Sequence, residues 1–269
     1  MTVTRFTLTN DLHLDLLHLW GESLDHFLER LAGEKSLRWI LVGDVVSFAA
    51  ENLGPAFESL SRFAGLLLYV PGNHDLWTEK GDSYTTYTEI IPALCDKYGV
   101  HLLDREPYIT GSLAVVGNVG WYDYSFRDPS FPFTHRQYVE KKLPSGFEWM
   151  DGRYIRWPLS DEEFTEFCCA RLAGQLEDLP ATVRQVIVVT HHIPFEALLL
   201  RKADPEWTFG NAFMGSRRLG ELIAADPRVT HTFCGHSHVG RTARIGDLDA
   251  WCLAGNYRHK ILHTIEVDS

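Results

Sequence analysis

The sequence predicts a single large domain of the α/β class that spans residues 1–269. The first observation is that strand-like apolar runs alternate with amphipathic stretches of helical period, the order typical of α/β domains. The second is that 269 residues, of which 45% are hydrophobic, are enough to bury a substantial core. The third is that five of the apolar runs lead directly into short polar signatures.

The five apolar runs have the length and composition of buried strands. They are Val3–Thr9, Arg38–Val42, Leu66–Val70, Val186–Thr190 and Val229–Cys234. The signatures that follow them are Asp11-Leu12-His13, Gly43-Asp44, Gly72-Asn73-His74-Asp75, His191-His192 and Gly235-His236-Ser237-His238. Strands of one sheet system would bring all five signatures to one rim at their carboxyl ends. That rim offers only oxygen and imidazole donors, which suit hard to borderline divalent metals.

Amphipathic stretches between these runs predict helices. They cover Glu22–Ala32, Glu51–Phe63, Thr85–Tyr98, the stretch after Ser160, and Ser216–Ala225. The fourth helix begins with the capping box Ser160-Asp161-Glu162-Glu163. From Gly240 to Val267 the pattern predicts short antiparallel strands with a turn at Gly246-Asp247.

Residues 121–157 differ from the rest of the chain, since they hold eleven aromatic residues and three prolines without a sustained period. We interpret residues from about 121 to 160 as an insertion that packs over the domain and covers the rim, because loops on a rigid scaffold often carry specificity. The alternative is a satellite hydrophobic cluster, which we favour for most of these aromatic side chains.

Composition narrows the partners and the compartment. A formal net charge of −11 disfavours nucleic acid, whose binding depends on neutralised phosphates. No apolar run approaches the roughly 18–20 residues of a membrane helix, and no signal-peptide pattern is visible, so we expect a cytoplasmic protein that does not engage membranes. Five cysteines without C-x-x-C spacing predict buried thiols rather than disulfides or a zinc ribbon. The oligomeric state is left open.

The first two signatures supply carboxylates. Asp11 and His13 are two residues apart, so at the end of an extended strand their side chains face the same way and reach one ion. Asp44 follows a glycine that permits a tight exit from the strand, and its two oxygens can bridge two ions. Taken alone, each signature also has an ordinary explanation, as a turn aspartate or a core histidine.

The next two signatures supply an amide and imidazoles. The amide oxygen of Asn73 suits a metal that already has an anionic bridge, and His74 beside it is placed for proton transfer. Asp75 either orients His74 or caps the following turn. Of the adjacent histidines only one can easily face the rim; we choose His191 and keep His192 in reserve.

The fifth signature is an H-x-H pair, His236 and His238, which presents two imidazoles together at a strand end. With it, the signatures reproduce in order the pattern D-x-H, G-D, G-N-H-D/E, H and G-H-x-H. Over residues 9–240 the sequence therefore resembles the calcineurin-like metallophosphoesterase superfamily. The resemblance implies a four-layer α/β/β/α sandwich with two metal ions at the strand ends.

The resemblance also implies a role for each residue. One ion would be held by Asp11, His13 and His238, the other by Asn73, His191 and His236, with Asp44 as the bridge. Mn²⁺ is our first choice by analogy, and Fe²⁺, Zn²⁺, Ni²⁺ or Co²⁺ fit the same donors. Ser47 stands where purple acid phosphatases need a tyrosine, which disfavours that branch. The protein serine/threonine phosphatases are disfavoured as well, because their usual aspartate and their arginine-bearing G-D motif are missing.

These features predict a metal-dependent hydrolase of phosphoester bonds. Two ions would hold a bridging hydroxide for in-line attack, and His74 would protonate the leaving oxygen. An enclosed aromatic wall favours a small substrate, so a phosphodiesterase comes first, a phosphomonoesterase second and a nuclease third. A non-catalytic scaffold is the alternative of another class, disfavoured because no ligand is missing. The candidate substrate-binding residues are Trp77, Trp121, Tyr122, Tyr257, Arg258 and His259.

Overall fold

The computed structural model describes residues 3–21, 23–31 and 37–269. Within them the strands are β1 (Val3–Thr9), β2 (Arg38–Val42), β3 (Leu66–Val70), β4 (His101–Leu102), β5 (Tyr108–Thr110), β6 (Leu113–Asn118), β7 (Gln185–Thr190), β8 (Val229–Cys234), β9 (Arg241–Ile245), β10 (Leu248–Cys252) and β11 (His263–Asp268). The α-helices are α1 (Leu24–Leu31), α2 (Ala49–Leu60), α3 (Ser83–Thr85), α4 (Ile91–Tyr98), α5 (His135–Glu140), α6 (Asp151–Tyr154), α7 (Asp161–Glu177), α8 (Pro205–Asn211) and α9 (Arg217–Ala225). Short 3₁₀ segments cover Leu14–Trp20, His74–Leu76 and Glu196–Leu198, and a π-helical turn covers Thr86–Ile90.

The strands form two mixed sheets. The first has the order β11-β1-β2-β3-β4, in which β1 to β4 are parallel neighbours and β11 runs antiparallel to β1. The second has the order β5-β6-β7-β8-β10-β9, with a parallel centre from β6 to β10 and antiparallel edge strands. All five apolar runs predicted as strands are strands, three in the first sheet and two in the second.

The two sheets pack face to face, and helices cover both outer faces. Val42 of β2 and Val189 of β7 belong to one buried cluster between the sheets. Alternate residues point outward, so Leu41 belongs to a cluster with side chains of α1, α2 and α4, and Val188 to one with side chains of α7 and α9. This is the predicted four-layer α/β/β/α sandwich, and burial on both faces explains why the strands read as continuous apolar runs.

The predicted helices are present, with differences at their ends. Helix α1 corresponds to the prediction over residues 22–32, whose end residues lie outside the described part of the chain. Residues 83–98 form one helical stretch interrupted by the π-helical turn. Helix α7 begins with the predicted capping box, because Ser160 N donates to Glu163 Oε2 (2.7 Å) and Glu163 N donates to Ser160 Oγ (3.1 Å).

The C-terminal strands are antiparallel, as predicted, but they belong to two different sheets. Strands β9 and β10 form the predicted hairpin, and Gly246 in its turn has a φ of 61°. Strand β11 does not continue this hairpin; it crosses to the first sheet and pairs antiparallel with β1, where Phe6 lies opposite Ile265. The apolar pattern of one strand does not contain information about the edge that it joins.

Three further features complete the fold. Strand β6, which was not predicted, is buried at every position and lies beside β7. The five cysteines are free buried thiols, as predicted. None of the helices in the described ranges is both long and apolar enough to cross a membrane.

Candidate metal centre

The carboxyl ends of β1, β2 and β3 meet those of β7 and β8 at one edge of the sandwich, and the polar signatures lie in the loops there. His13 N donates to Asp44 O (3.0 Å), which joins the loops after β1 and β2. His236 N donates to Asp11 Oδ2 (3.2 Å), which joins the two sheets. The rim is therefore a connected set of loops rather than five independent ones.

Two groups of side chains converge at this rim, each with donor atoms within 4.8 Å of one another. The groups are Asp11, His13, Asp44 and His238, and Asp44, His191 and His236. Asp44 belongs to both groups, as a bridging carboxylate requires. The Oδ1 atom of Asn73 lies 3.1 Å from Nε2 of His191 and so joins the second group. The structure thus brings together all seven residues that the resemblance implied as ligands.

The backbone at the ligand positions is strained. Of the seven described non-glycine residues with positive φ, five are candidate ligands. They are Asp11, His13, Asp44, His236 and His238, with φ between 42° and 71°. Such conformations are uncommon for non-glycine residues and cluster at functional sites. They also correct one expectation, because Asp11 and His13 converge through left-handed backbone and not through the alternation of an extended strand.

Two buried histidines turn their free nitrogens toward each other. Nδ1 of His191 donates to Val42 O (3.0 Å), and Nε2 of His236 donates to Phe213 O (3.2 Å). Because carbonyls only accept, each of these nitrogens carries a proton. In the neutral rings that bind a metal, the facing nitrogens, 3.2 Å apart, would both present lone pairs. Two acceptors cannot bond to each other, and a cation between them removes the conflict.

The charge balance of the site also favours a cation. Burial opposes a charge on His191, yet the Asp44 carboxylate outweighs it and raises the pKa of His191 to about 10. Burial likewise opposes ionisation of Asp44, but its histidine neighbours hold the pKa of this carboxyl well below its usual value. Burial lowers the pKa of His13 far enough to keep this ring neutral. Metals bind ionised carboxylates and neutral imidazoles, so an ion bound at this site would take the place of the second proton of His191.

Two buried polar atoms of the first group lack hydrogen-bond partners. They are Oδ1 of Asp11, which lies 3.2 Å from Nε2 of His238 without hydrogen-bond geometry, and Nε2 of His13. Buried polar atoms are normally paired, and one cation would serve both. The residues present therefore fit the two divalent ions that the resemblance implied, with oxygen and imidazole donors and no thiolate.

Neighbouring side chains fix the orientation of His13. Its Nδ1 lies 3.0 Å from Ser47 Oγ, which leaves Nε2 directed at the site. The ring also stacks on Tyr257 with centroids 4.2 Å apart. Ser47, at which the chain departs from relatives with a tyrosine, thus positions a candidate ligand by its hydroxyl group.

His74 is hydrogen-bonded to Asp44, the carboxylate that belongs to both ligand groups. Its backbone N donates to Asp44 Oδ1 (2.9 Å). Its ring stacks on Trp77 with centroids 3.6 Å apart and meets His13 edge-on at 4.8 Å. The side chain lines the cavity above the rim, with Nδ1 buried and without a partner.

Asp75 has a different set of partners from those that the sequence suggested. Its Oδ1 accepts from Val46 N (3.1 Å), and its Oδ2 accepts from Gly72 N (2.9 Å) and Tyr69 OH (2.8 Å). Burial, together with the nearby Asp44, raises the pKa of Asp75 to about 7. Asp75 therefore holds the loops after β2 and β3 together instead of orienting the ring of His74.

The reserve candidate His192 is turned away from the rim. Its Nδ1 lies 3.1 Å from Val119 O, and its ring lies 4.2 Å from that of His236 and 4.8 Å from that of Trp121. Neither of the two ligand groups contains it. His192 is a packing residue, and His191 is the member of the pair that joins the site.

A cavity of about 550 Å³ opens above the ligand groups. Its floor contains Asp44, Asn73, His74, His236 and His238. Its apolar wall contains Trp77, Phe147, Trp149, Met150, Leu199, Leu200, Trp207, Met214 and Tyr257. Only residues 147–150 of the aromatic-rich segment lie in this wall.

The remaining substrate candidates lie elsewhere. Trp121 and Tyr122 are fully buried in the hydrophobic core, where Trp121 packs against Phe164 of α7. Arg258 and His259 are exposed and do not line the cavity. Of the six residues suggested by the sequence, the structure therefore brings only Trp77 and Tyr257 to the cavity.

Asp151 is a site residue that sequence reasoning missed. Its Oδ1 accepts from Asn73 Nδ2 (2.8 Å) and Trp77 Nε1 (2.6 Å), and its Oδ2 accepts from Trp149 Nε1 (2.9 Å) and Tyr122 OH (3.0 Å). The bond to Asn73 Nδ2 directs the amide oxygen toward the ligand group. No motif marks Asp151; the available signal was a lone acidic residue among tryptophans.

Asp151→Asn is expected to weaken binding of one metal ion by roughly 10- to 100-fold. The new side chain has one acceptor oxygen instead of two, so it holds the Nδ2 donor of Asn73 less firmly. Titration of the metal-free protein with Mn²⁺ measures this affinity. Tyr122→Phe is the matched control, since it removes one donor to Asp151 and leaves Asn73 untouched; we expect its affinity to stay near that of the parent. Wild-type affinity of Asp151→Asn for both ions would exclude the positioning role.

Comparisons with known proteins agree with this geometry. A family model described as calcineurin-like phosphoesterase matches residues 4–240. No match was found among curated proteins. Among solved structures, phosphopantetheinyl hydrolase from Mycobacterium tuberculosis is similar, with a TM-score of 0.73, 19% identity, and coverage of 95% of this chain and 90% of that one.

Two further structures share the fold. A dimetal phosphatase from Danio rerio gives a TM-score of 0.53 at 14% identity, covering 97% of this chain and 91% of that one. GAP50, the anchor in the inner membrane complex of Plasmodium, gives a TM-score of 0.50 at 14% identity. The match covers 96% of this chain and 73% of that one. At these identities the likeness shows the fold alone. The family model spans most of the chain, and the protein belongs to the calcineurin-like phosphoesterase family of metal-dependent hydrolases that act on phosphoester bonds.

Proposed function

We propose that the protein is a phosphodiesterase that uses two divalent metal ions and His74 as the general acid. The observation that carries this proposal is the position of Asp44, which is shared by both ligand groups and accepts a hydrogen bond from His74 N. One carboxylate thereby ties the two metal positions to the proton donor. When bound, the ions would supply positive charge to the phosphoryl oxygens and an activated water.

The chain divides the ligands between the two positions. Asp11, His13 and His238 would hold one ion, Asn73, His191 and His236 the other, and Asp44 both. Mn²⁺ is the proposed metal by analogy with the family, and donors of oxygen and imidazole without thiolate fit it. The cytoplasmic location stays a prediction.

His74 is suited to protonate the leaving oxygen. It lies on the cavity floor beside both ligand groups, and its stacking on Trp77 restricts the orientation of its ring. Because Nδ1 is buried, we assign the transferred proton to Nε2. A proton delivered there would neutralise the alkoxide or phenoxide as it departs.

The size of the cavity supports a diester over a monoester. A volume of about 550 Å³ exceeds what a phosphoryl group needs and lies in the range of small-molecule sites. The apolar wall can accommodate organic groups on both sides of the phosphorus. A monoester would leave much of this wall without a partner.

A substrate comparison tests the proposal directly. Protein loaded with Mn²⁺ is expected to hydrolyse bis(p-nitrophenyl) phosphate with a higher kcat/KM than p-nitrophenyl phosphate. The opposite order would assign a phosphomonoesterase instead. If neither ester were hydrolysed with Mn²⁺, Fe²⁺, Zn²⁺, Ni²⁺ or Co²⁺, the protein would be assigned as a non-catalytic scaffold instead of an enzyme.

His74→Ala is expected to retain both ions and to slow hydrolysis of phenyl esters by roughly 10²- to 10⁴-fold, since general acid catalysis contributes that much. The loss should shrink for 2,4-dinitrophenyl esters, whose leaving group needs little protonation. His135→Ala, at an exposed histidine outside the cavity, serves as the control and should match the parent. A loss of equal size for every leaving group would contradict the general-acid role.

A further inference from the structure

We propose that the cavity above the metal centre selects phosphoesters whose organic part is apolar or aromatic and carries no negative charge. This inference rests on the proposed function, since it concerns the group attached to the scissile phosphoryl. It goes further because it names the class of substrate, and it depends on the wall of the cavity rather than on the ligands.

The apolar wall is continuous with the metal centre. The cavity that contains Asp44 and His238 on its floor also contains Trp77, Trp149 and Trp207 in its wall. A phosphoryl group near the ligands would therefore place its ester groups against indole and aliphatic surface. Burial of an aromatic group there is favourable, because it removes apolar area from water.

The charged residues of the wall are all acidic. Glu148, Asp204 and Glu206 line the cavity, and neither lysine nor arginine occurs among its described lining residues. Two of the carboxylates bond to neutral donors: Asp204 Oδ1 accepts from Trp207 N (2.7 Å), and Glu206 Oε1 accepts from Ser145 Oγ (2.8 Å). Neither of these two contacts brings a positive charge to the carboxylate.

Nearby lysines offset this charge without reversing it. Lys142 Nζ lies 3.1 Å from Glu148 Oε1, and this ion pair neutralises one carboxylate. Lys202 Nζ lies 3.3 Å from the centroid of the Trp207 ring and does not line the cavity. The wall is therefore neutral to acidic. Phosphate-binding surfaces in proteins are rich in arginine and lysine, so a second anionic group would have no counter-charge here.

This distribution of charge separates two kinds of phosphoester. A nucleoside polyphosphate or an oligonucleotide carries further phosphates, and the acidic wall would repel them. An ester with neutral aryl or alkyl groups meets only apolar surface. The metal centre would then be the single place in the cavity that attracts negative charge, and it would hold the scissile phosphoryl there.

The test uses two diesters that share the p-nitrophenolate leaving group, phenyl p-nitrophenyl phosphate and 4-carboxyphenyl p-nitrophenyl phosphate. With Mn²⁺-loaded protein at low ionic strength, we expect the carboxylated ester to have a kcat/KM lower by roughly three- to tenfold, mainly through KM. The range is modest because exposed charges are screened by solvent. Equal kcat/KM values, or a preference for the carboxylated ester, would overturn the inference.

A charge reversal links the effect to the wall. Glu206→Lys is expected to raise the kcat/KM of the carboxylated ester close to that of the phenyl ester. Glu89→Lys makes the same change in net charge at an exposed site outside the cavity and should leave the preference as it is. If both variants shifted the preference equally, net charge and not the wall would be responsible, and the inference would fail.

Failure of the inference is distinguishable from failure of the proposed function. If both esters are hydrolysed with equal kcat/KM, the inferred substrate class is wrong, but the proposed phosphodiesterase activity stands. Hydrolysis of neither ester removes the proposed function and the inference with it.

Discussion

Replacing Asp44 with asparagine is expected to reduce the bound metal from two ions per chain to no more than one. Hydrolysis should fall on the order of a thousandfold, because several kcal/mol of charge stabilisation are lost with the second ion. The reason is that Asp44 belongs to both ligand groups, and its Oδ2 lies 3.3 Å from Nε2 of His191 and 4.0 Å from Nε2 of His13. An amide offers one oxygen and no charge.

Metal analysis after gel filtration measures the stoichiometry, and the initial rate on bis(p-nitrophenyl) phosphate measures the loss of activity. Asp96→Asn is the matched control, since Asp96 is exposed and pairs with Arg105 far from the rim. We expect it to keep both ions and the parent rate. Two tightly held ions in Asp44→Asn would contradict the bridging role.

Gly72→Ala is expected to abolish metal binding and to destabilise the fold by roughly 1–3 kcal/mol or more, the usual cost of overpacking a closely packed site. A Cβ atom at Gly72 would overlap with the carboxylate and the backbone N of Asp44. Neither can move freely, because Asp44 is buried and its neighbours are hydrogen-bonded across the rim. The glycine is required for close approach and not for its own φ angle.

Thermal unfolding and metal analysis of Gly72→Ala test this account. Gly174→Ala is the matched control, because a Cβ there, near the C-terminal end of α7, meets nothing within 4 Å. Because Gly174 lies in the last turn of this helix, the substitution should stabilise the protein by at most about 0.5–1 kcal/mol through higher helix propensity. A Gly72→Ala variant as stable as the parent, with both ions bound, would show that the rim tolerates the added atom.

The strands and the ligands could be predicted because they rest on local patterns. Burial on both faces makes each strand a continuous apolar run, and each ligand follows such a run within a few residues. The order of the signatures then identified the family. The pairing of β11 with β1 could not be predicted, since it joins residues about 260 positions apart and the apolar pattern of a strand does not specify the sheet edge that it joins.

The backbone at the ligands and the surroundings of the site could not be predicted either. Left-handed conformations at Asp11 and His238 are imposed by the tertiary structure, since aspartate and histidine, although enriched there relative to other residues, adopt them only in a minority of cases. Asp151 acts through partners at positions 73, 77, 122 and 149, which only the folded chain brings together. The same holds for the acidic wall, whose residues come from distant segments.

The aromatic-rich segment shows how composition alone can mislead. Trp121 and Tyr122 are as aromatic as Trp149, yet the first two are buried in the core and only Trp149 reaches the cavity. The difference lies in what packs above each side chain. A stretch of aromatic residues therefore predicts a hydrophobic cluster more securely than it predicts a substrate wall.

A metal titration shows whether two metal ions act together in phosphoester hydrolysis. Metal-free protein would be titrated with Mn²⁺ while the rate of bis(p-nitrophenyl) phosphate hydrolysis is followed, with protein concentration well above the metal dissociation constants. The account predicts that activity rises to a plateau at two ions per chain. Full activity at one ion per chain, or none at any ratio, would contradict it.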